Sequence, residues 1–189
     1  MRQIRFRVGA VIALAMVSVL AAAGPVAADE RTCRGTIGAR TLDNVRVPSG
    51  ATCTLNGTYV NGTIKVERNA MLRTNGVRVI GNVQAENARE VRVAERSRIG
   101  GSVQVKDSGI ARVLDSRING DILFDDNDRK NAARRNVVGG NVQALQNEGG
   151  VAIFDNRIDG NLQCKENRPA PTGGRNVVDG NKEDQCRRF

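Results

Sequence analysis

The sequence predicts an all-β, single-domain parallel β-helix, right-handed, with about seven coils of 19–20 residues. Three observations predict it. A glycine phrase recurs once per coil, apolar and polar residues alternate around that phrase, and the four cysteines fall into two pairs about one coil apart.

The glycine stands at Gly62, Gly81, Gly101, Gly120, Gly140, Gly160 and Gly180, at intervals of 19, 20, 19, 20, 20 and 20 residues. A repeat of this length denotes stacked units that are stable only together. Two residues before the glycine come Val60, Val79, Ile99, Ile118, Val138, Ile158 and Val178. Two after it come Ile64, Val83, Val103, Ile122, Val142 and Leu162, and four after it Val66, Ala85, Val105, Phe124, Ala144 and Cys164. Polar residues lie between them, the period-two pattern of a strand with one buried face. Val91 and Val93, Ala111 and Val113, and Val151 and Ile153 repeat it further round. The glycine fits a tight corner, where positive φ is expected. The right hand is preferred because left-handed hexapeptide helices need units divisible by six.

Polar columns keep the same register. Thr63, Asn82, Ser102, Asp121, Asn141, Asn161 and Asn181 follow the glycine, and Ser97, Ser116, Asn136, Asn156 and Asn176 precede it by four. Side chains of this type, stacked at corners, hydrogen-bond from coil to coil. Gln84, Gln104, Gln143 and Gln163 form an outward column.

Residues 1–28 read as a secretory signal peptide: Arg2, Arg5 and Arg7, an apolar run from Val8 to Ala23, then small residues to Ala28. The expected location is therefore extracellular or periplasmic. Residues 29–59 are assigned to an N-terminal cap and first coil, 60–166 to regular coils, and 167–189 to a Pro/Gly loop and C-terminal cap. No transmembrane segment is expected after residue 28. Without the signal the chain holds 26 basic and 20 acidic side chains, a net charge of +6, which favours anionic partners. Its aromatic residues are Tyr59, Phe124, Phe154 and Phe189 alone, too few stacking faces for a nucleic-acid platform, so no nucleic acid is expected. There is no histidine, and no cofactor is expected.

Export makes disulfides the natural state of the cysteines. Cys33 and Cys53 are 20 residues apart and Cys164 and Cys186 are 22 apart. Either crossed pairing would span most of the rod, so the expected bonds are Cys33–Cys53 and Cys164–Cys186. No metal is expected, because no CxxC spacing or histidine accompanies these thiols. Lys182, Glu183 and Asp184 stand where apolar residues belonged, the polar ending that protects a terminal coil.

Arg78, Arg98, Arg117 and Arg157, three before the glycine, form the candidate binding column for an anionic polymer. Five before the glycine the charge alternates through Arg96, Asp115, Arg135, Asp155 and Arg175, which is expected to neutralise part of that column. Asp125-Asp126-Asn127-Asp128 reads as a polar surface loop, since it lacks the order of an EF-hand. Asp115, Asp121 and Asp125 are explained by stacking without acid–base chemistry, and the chain is read as non-enzymatic.

The units Val138-Gly139-Gly140-Asn141-Val142, Ile99-Gly100-Gly101-Ser102-Val103 and Ile118-Asn119-Gly120-Asp121-Ile122 resemble those of bactofilins, polymer-forming bacterial cytoskeletal proteins. The closing stretch from Leu162 to Cys186 resembles small exported bacterial proteins of unassigned function. The first resemblance implies a β-solenoid that self-associates. The residues themselves favour contact with anionic envelope polysaccharide.

Overall fold

The computed structural model describes residues 29–189; the expected signal peptide, residues 1–28, lies outside the described residues. Strands form wherever a β-branched residue alternates with a polar one, and they stack into three all-parallel sheets of nine, eight and eight strands. Sheet 1 runs from Glu30–Thr32 to Lys182–Asp184, sheet 2 from Gly35–Ile37 to Thr172–Gly174, and sheet 3 from Thr41–Leu42 to Val177–Val178. The molecule is a parallel β-solenoid of eight turns, with a ninth strand added to sheet 1.

The turn beyond the expected seven is the first, where Asp43 holds the glycine's place: the Gly62 amide donates to the Asp43 carbonyl. In the later turns the residue type follows from what lies beneath each glycine. A β-carbon on Gly160 would sit 2.6 Å from Asn141 Oδ1 and 2.7 Å from the Gly140 carbonyl oxygen. One on Gly81 would meet Thr63 Oγ1 at 2.6 Å and the Gly62 carbonyl oxygen at 2.7 Å. Beneath Asp43 the corresponding residue is Glu30, whose carboxylate instead accepts from Arg46 Nε at 2.8 Å.

This corrects the expectation of positive φ. The repeat glycines are outside the left-handed region and are required by close approach between coils. The left-handed corners are elsewhere, at Asn69, Asn87, Asp107, Asp126, Gln146 and Glu166 after sheet 1, and at Gly57, Gly76, Arg96, Asp115, Arg135, Asp155 and Arg175 after sheet 2.

The side chain under the glycine is itself bonded upward. The amides of Thr63, Asn82, Ser102, Asp121, Asn141, Asn161 and Asn181 each donate to the side-chain oxygen one coil below, Asn44 being the first acceptor, at 2.6–3.3 Å. Only an acceptor oxygen on a short side chain is needed, so Thr, Ser, Asn and Asp all serve. A second ladder runs the opposite way: Ser116, Asn136 and Asn156 donate their amides to the Oδ1 atoms of Asn136, Asn156 and Asn176, each at 3.0 Å.

A third ladder was not anticipated. The amides of Ala88, Ser108, Asn127, Asn147 and Asn167 donate to the side chains of Ser108, Asn127, Asn147, Asn167 and Gln185 at 2.9–3.2 Å. Within the expected surface loop at 125–128, Asp126 and Asp128 are exposed in bends, while Asp125 ends a strand and Asn127 is a fully buried ladder residue. The Nδ2 groups of Asn127, Asn147 and Asn167 donate to the carbonyls of Val105, Phe124 and Ala144, which leaves these buried amides satisfied.

Between the ladders the core is a stack of columns. Ile64, Val83, Val103, Ile122, Val142 and Leu162 are register neighbours with no exposed surface. Each such side chain contributes about 1.5–3 kcal/mol on burial. Phe124, the largest fully buried side chain, pairs with Ala144 in the next coil, so a small residue receives the large one.

Both cysteine pairs join adjacent turns, Cys33 to Cys53 with Cα atoms 5.6 Å apart and Cys164 to Cys186 at 5.2 Å. Paired cysteines at this spacing are compatible with an oxidising compartment. At the C-terminal end Phe189 packs against the core over Gly173, and Gln185 occupies the last asparagine place, so the end is covered by an aromatic ring as well as by charge.

Two consequences are measurable by chemical denaturation. Gly160→Ala should cost about 1–3 kcal/mol by overpacking, whereas Gly38→Ala, with open space around its β-carbon, should change stability little. Asn147→Ala should cost at least about 2 kcal/mol, because it strands the buried donors of Asn127 and Asn131 that its Oδ1 accepts.

Candidate functional site: an outward arginine row

Sheet 3 contributes two-residue strands, and the first residue of each points outward. In register this outer column reads Tyr59, Arg78, Arg98, Arg117, Val137, Arg157 and Val177. The structure therefore divides the four arginines of the sequence prediction. Arg78, Arg98 and Arg117 are consecutive and exposed, on strands about 4.8 Å apart. Arg157 is separated from them by Val137, and its guanidinium meets Asp179 at 2.8 Å and Asp159 at 3.7 Å.

Among the described residues no carboxylate lies within 4.0 Å of the Arg78, Arg98 or Arg117 guanidinium. The Arg78 guanidinium lies over the Tyr59 ring, 5.5 Å from its centroid. Beside the row, Ile80, Gly100 and Asn119 line a shallow depression of about 230 Å³ together with the three arginines. Ile80 is 46% exposed, and Gly100 leaves the middle of the depression without a side chain.

The alternating column at the neighbouring corner is self-neutralising, but it does not neutralise this row. Asp115 binds Arg135 through two hydrogen bonds of 2.6 and 2.9 Å, and Asp155 binds Arg175 through two of 2.6 and 2.8 Å. Those hydrogen bonds hold both carboxyls below the usual carboxylate range. Arg96 contacts this column only through its backbone, donating to the Asp115 carbonyl at 2.9 Å.

The other carboxylates considered from the sequence are engaged as well. Asp121 Oδ1 accepts from the Asn141 amide at 2.6 Å and from its Nδ2 at 3.0 Å, and Asp125 meets Lys106 at 3.2 Å. The glutamine column is real but broken. Gln84 donates to Gln104 and Gln143 to Gln163, each at 3.4 Å, with Leu123 between the two pairs.

Sequence reasoning missed a second cationic row. Arg73, Arg92 and Arg112 are register neighbours on the outer face of sheet 2. Their spacing of 19 and 20 residues carried the signal, since each stands between two inward residues of an alternating strand. Comparison with protein-family models, curated proteins and solved structures returned no match. The chain is a β-solenoid by its own geometry.

The Asp–Arg pairs set a pH expectation. A carboxyl lowered in the folded state adds stability above its ordinary range and loses it as pH falls through the lowered value. The melting temperature of Asp115→Asn/Asp155→Asn should therefore drop less than that of the wild type between about pH 7 and about pH 2.5.

Proposed function

We propose that this chain is an exported, non-enzymatic β-solenoid that holds an anionic envelope polymer along sheet 3 through Arg78, Arg98 and Arg117. One observation carries the reading: three like charges stand side by side on adjacent strands with no carboxylate beside them among the described residues. Directly opposed like charges destabilise a sheet, while the nearby carboxylates are committed to Arg135, Arg157 and Arg175. An external chain of anions removes that repulsion. The rigid strand spacing also presents the guanidiniums as a ready-made row, so little ordering is needed on binding.

Export is supported by the N-terminal pattern and by the pairing of all four cysteines. Arg157 is left out of the binding set because Asp159 and Asp179 already satisfy it. The contrast with bactofilin-like self-assembly is experimental: a binder depends on the polymer and a scaffold on its own concentration.

The test is retention of the disulfide-bonded protein on an immobilised anionic polysaccharide. Arg78→Gln/Arg98→Gln/Arg117→Gln should weaken binding by about tenfold or more, and Arg157→Gln should stay within about twofold. Raising salt from about 0.05 M to about 0.5 M should release the wild type. Equal retention of the triple variant would sink the proposal. Retention by neither form, with size growing with protein concentration, would favour assembly.

A further inference from the structure

The outer face of sheet 2 carries a different feature from sheet 3. Along one outward column the residues read Arg73, Arg92, Arg112, Ala132, Ala152 and Thr172. The change from arginine to alanine lowers the surface abruptly, and the step opens a trough of about 600 Å³. That volume lies within the roughly 300–1,000 Å³ range of ligand sites.

The floor is Ala132, Ala152 and the Gly149-Gly150 backbone, with Leu114 beside it and Pro169-Ala170 rising at the far end. Arg112 closes the near side, one strand from Ala132. Lys130, just before the strand Asn131–Arg134, and Arg134, at its end, lie two residues to either side of Ala132. Cations thus stand on three sides of an apolar floor. None of the three has a carboxylate within 4.0 Å among the described residues, and no aspartate or glutamate lines the trough. A fourth cation, Arg135, is held by Asp115.

We infer that this trough is a second ligand site, in which Arg112, Lys130 and Arg134 bind the carboxylates of an acidic oligosaccharide whose ring C–H face lies on Ala132 and Ala152. The surroundings select this chemistry. Charge on three sides of the floor, with Pro169-Ala170 rising on the fourth, opposes an acyl tail, which needs an apolar exit. The nearby aromatic ring, Phe154, already carries the guanidiniums of Arg134 at 5.2 Å and Arg175 at 5.8 Å, so it is not a free stacking platform for a nucleobase. A sugar acid offers a charged group on each unit and an apolar face on each ring. The site shares no residue with the sheet 3 row and does not depend on it.

The experiment is calorimetric titration of the disulfide-bonded exported form carrying Arg78→Gln/Arg98→Gln/Arg117→Gln, so that the sheet 3 row cannot contribute. The probe is a short oligogalacturonate, compared with its methyl ester and with polyphosphate. Saturable binding of the acid form is expected, at least tenfold tighter than the ester or polyphosphate. Adding Lys130→Gln/Arg134→Gln should weaken it about tenfold, and Ala152→Leu, with its melting temperature checked, should abolish it by filling the floor. Absence of saturable binding, equal affinity for the ester or for polyphosphate, or an unchanged affinity in the cation variant would overturn the assignment.

Discussion

Where one coil passes over the next, an oxygen-bearing side chain of the lower coil occupies the space that a β-carbon would fill above it. There it accepts a hydrogen bond from the following amide of the upper coil. The glycine and the oxygen are two halves of one contact: Gly160 leaves the room, Asn141 fills it, and the Asn161 amide donates to Asn141 Oδ1 at 2.8 Å. A shift by one residue would drive a β-carbon into a carbonyl and leave a donor unmade, two penalties at the same place. Register is fixed here, and the columns of the core and of the surface inherit it.

The two asparagine ladders do a related job inside the corners. Asn136, Asn156 and Asn176 each accept an amide from one coil and return an Nδ2 donor to a backbone carbonyl, as do Asn127, Asn147 and Asn167. Burying amides without partners would be costly. Repeated at one coil spacing, each amide supplies what its neighbour lacks. The chain needs few aromatics because narrow columns of Val and Ile fill a cross-section this small, with Phe124 set against Ala144.

Rigidity of this kind makes the outer columns meaningful. A side chain on the surface of a β-solenoid is held at a fixed spacing from its equivalents, so a row of charges is a property of the backbone and not of flexible loops. On sheet 3 that row is cationic over three adjacent strands and then neutralised at Arg157 by Asp159 and Asp179. On sheet 2 a row of arginines gives way to alanines and a trough. The two halves of the rod therefore present different chemistry on different faces.

The sequence by itself determined the solenoid, its coil length, the inward columns and the cysteine partners, because stacking at constant spacing turns a linear period into spatial adjacency. The ladder of Asn127, Asn147 and Asn167 had the same period and was equally legible, but the acidic neighbours of Asn127 masked it as a loop. Tertiary structure alone decided the rest. It showed that the repeat glycine answers to a neighbouring coil and not to its own φ, and that in the first turn Asp43 holds the glycine's place. It also decided which charges find partners: Asp115 sits between Arg96 and Arg135 in its column and chooses Arg135. Such choices depend on the direction each side chain leaves its corner, a matter of angles and of the coils above and below, which spacing along a chain does not contain.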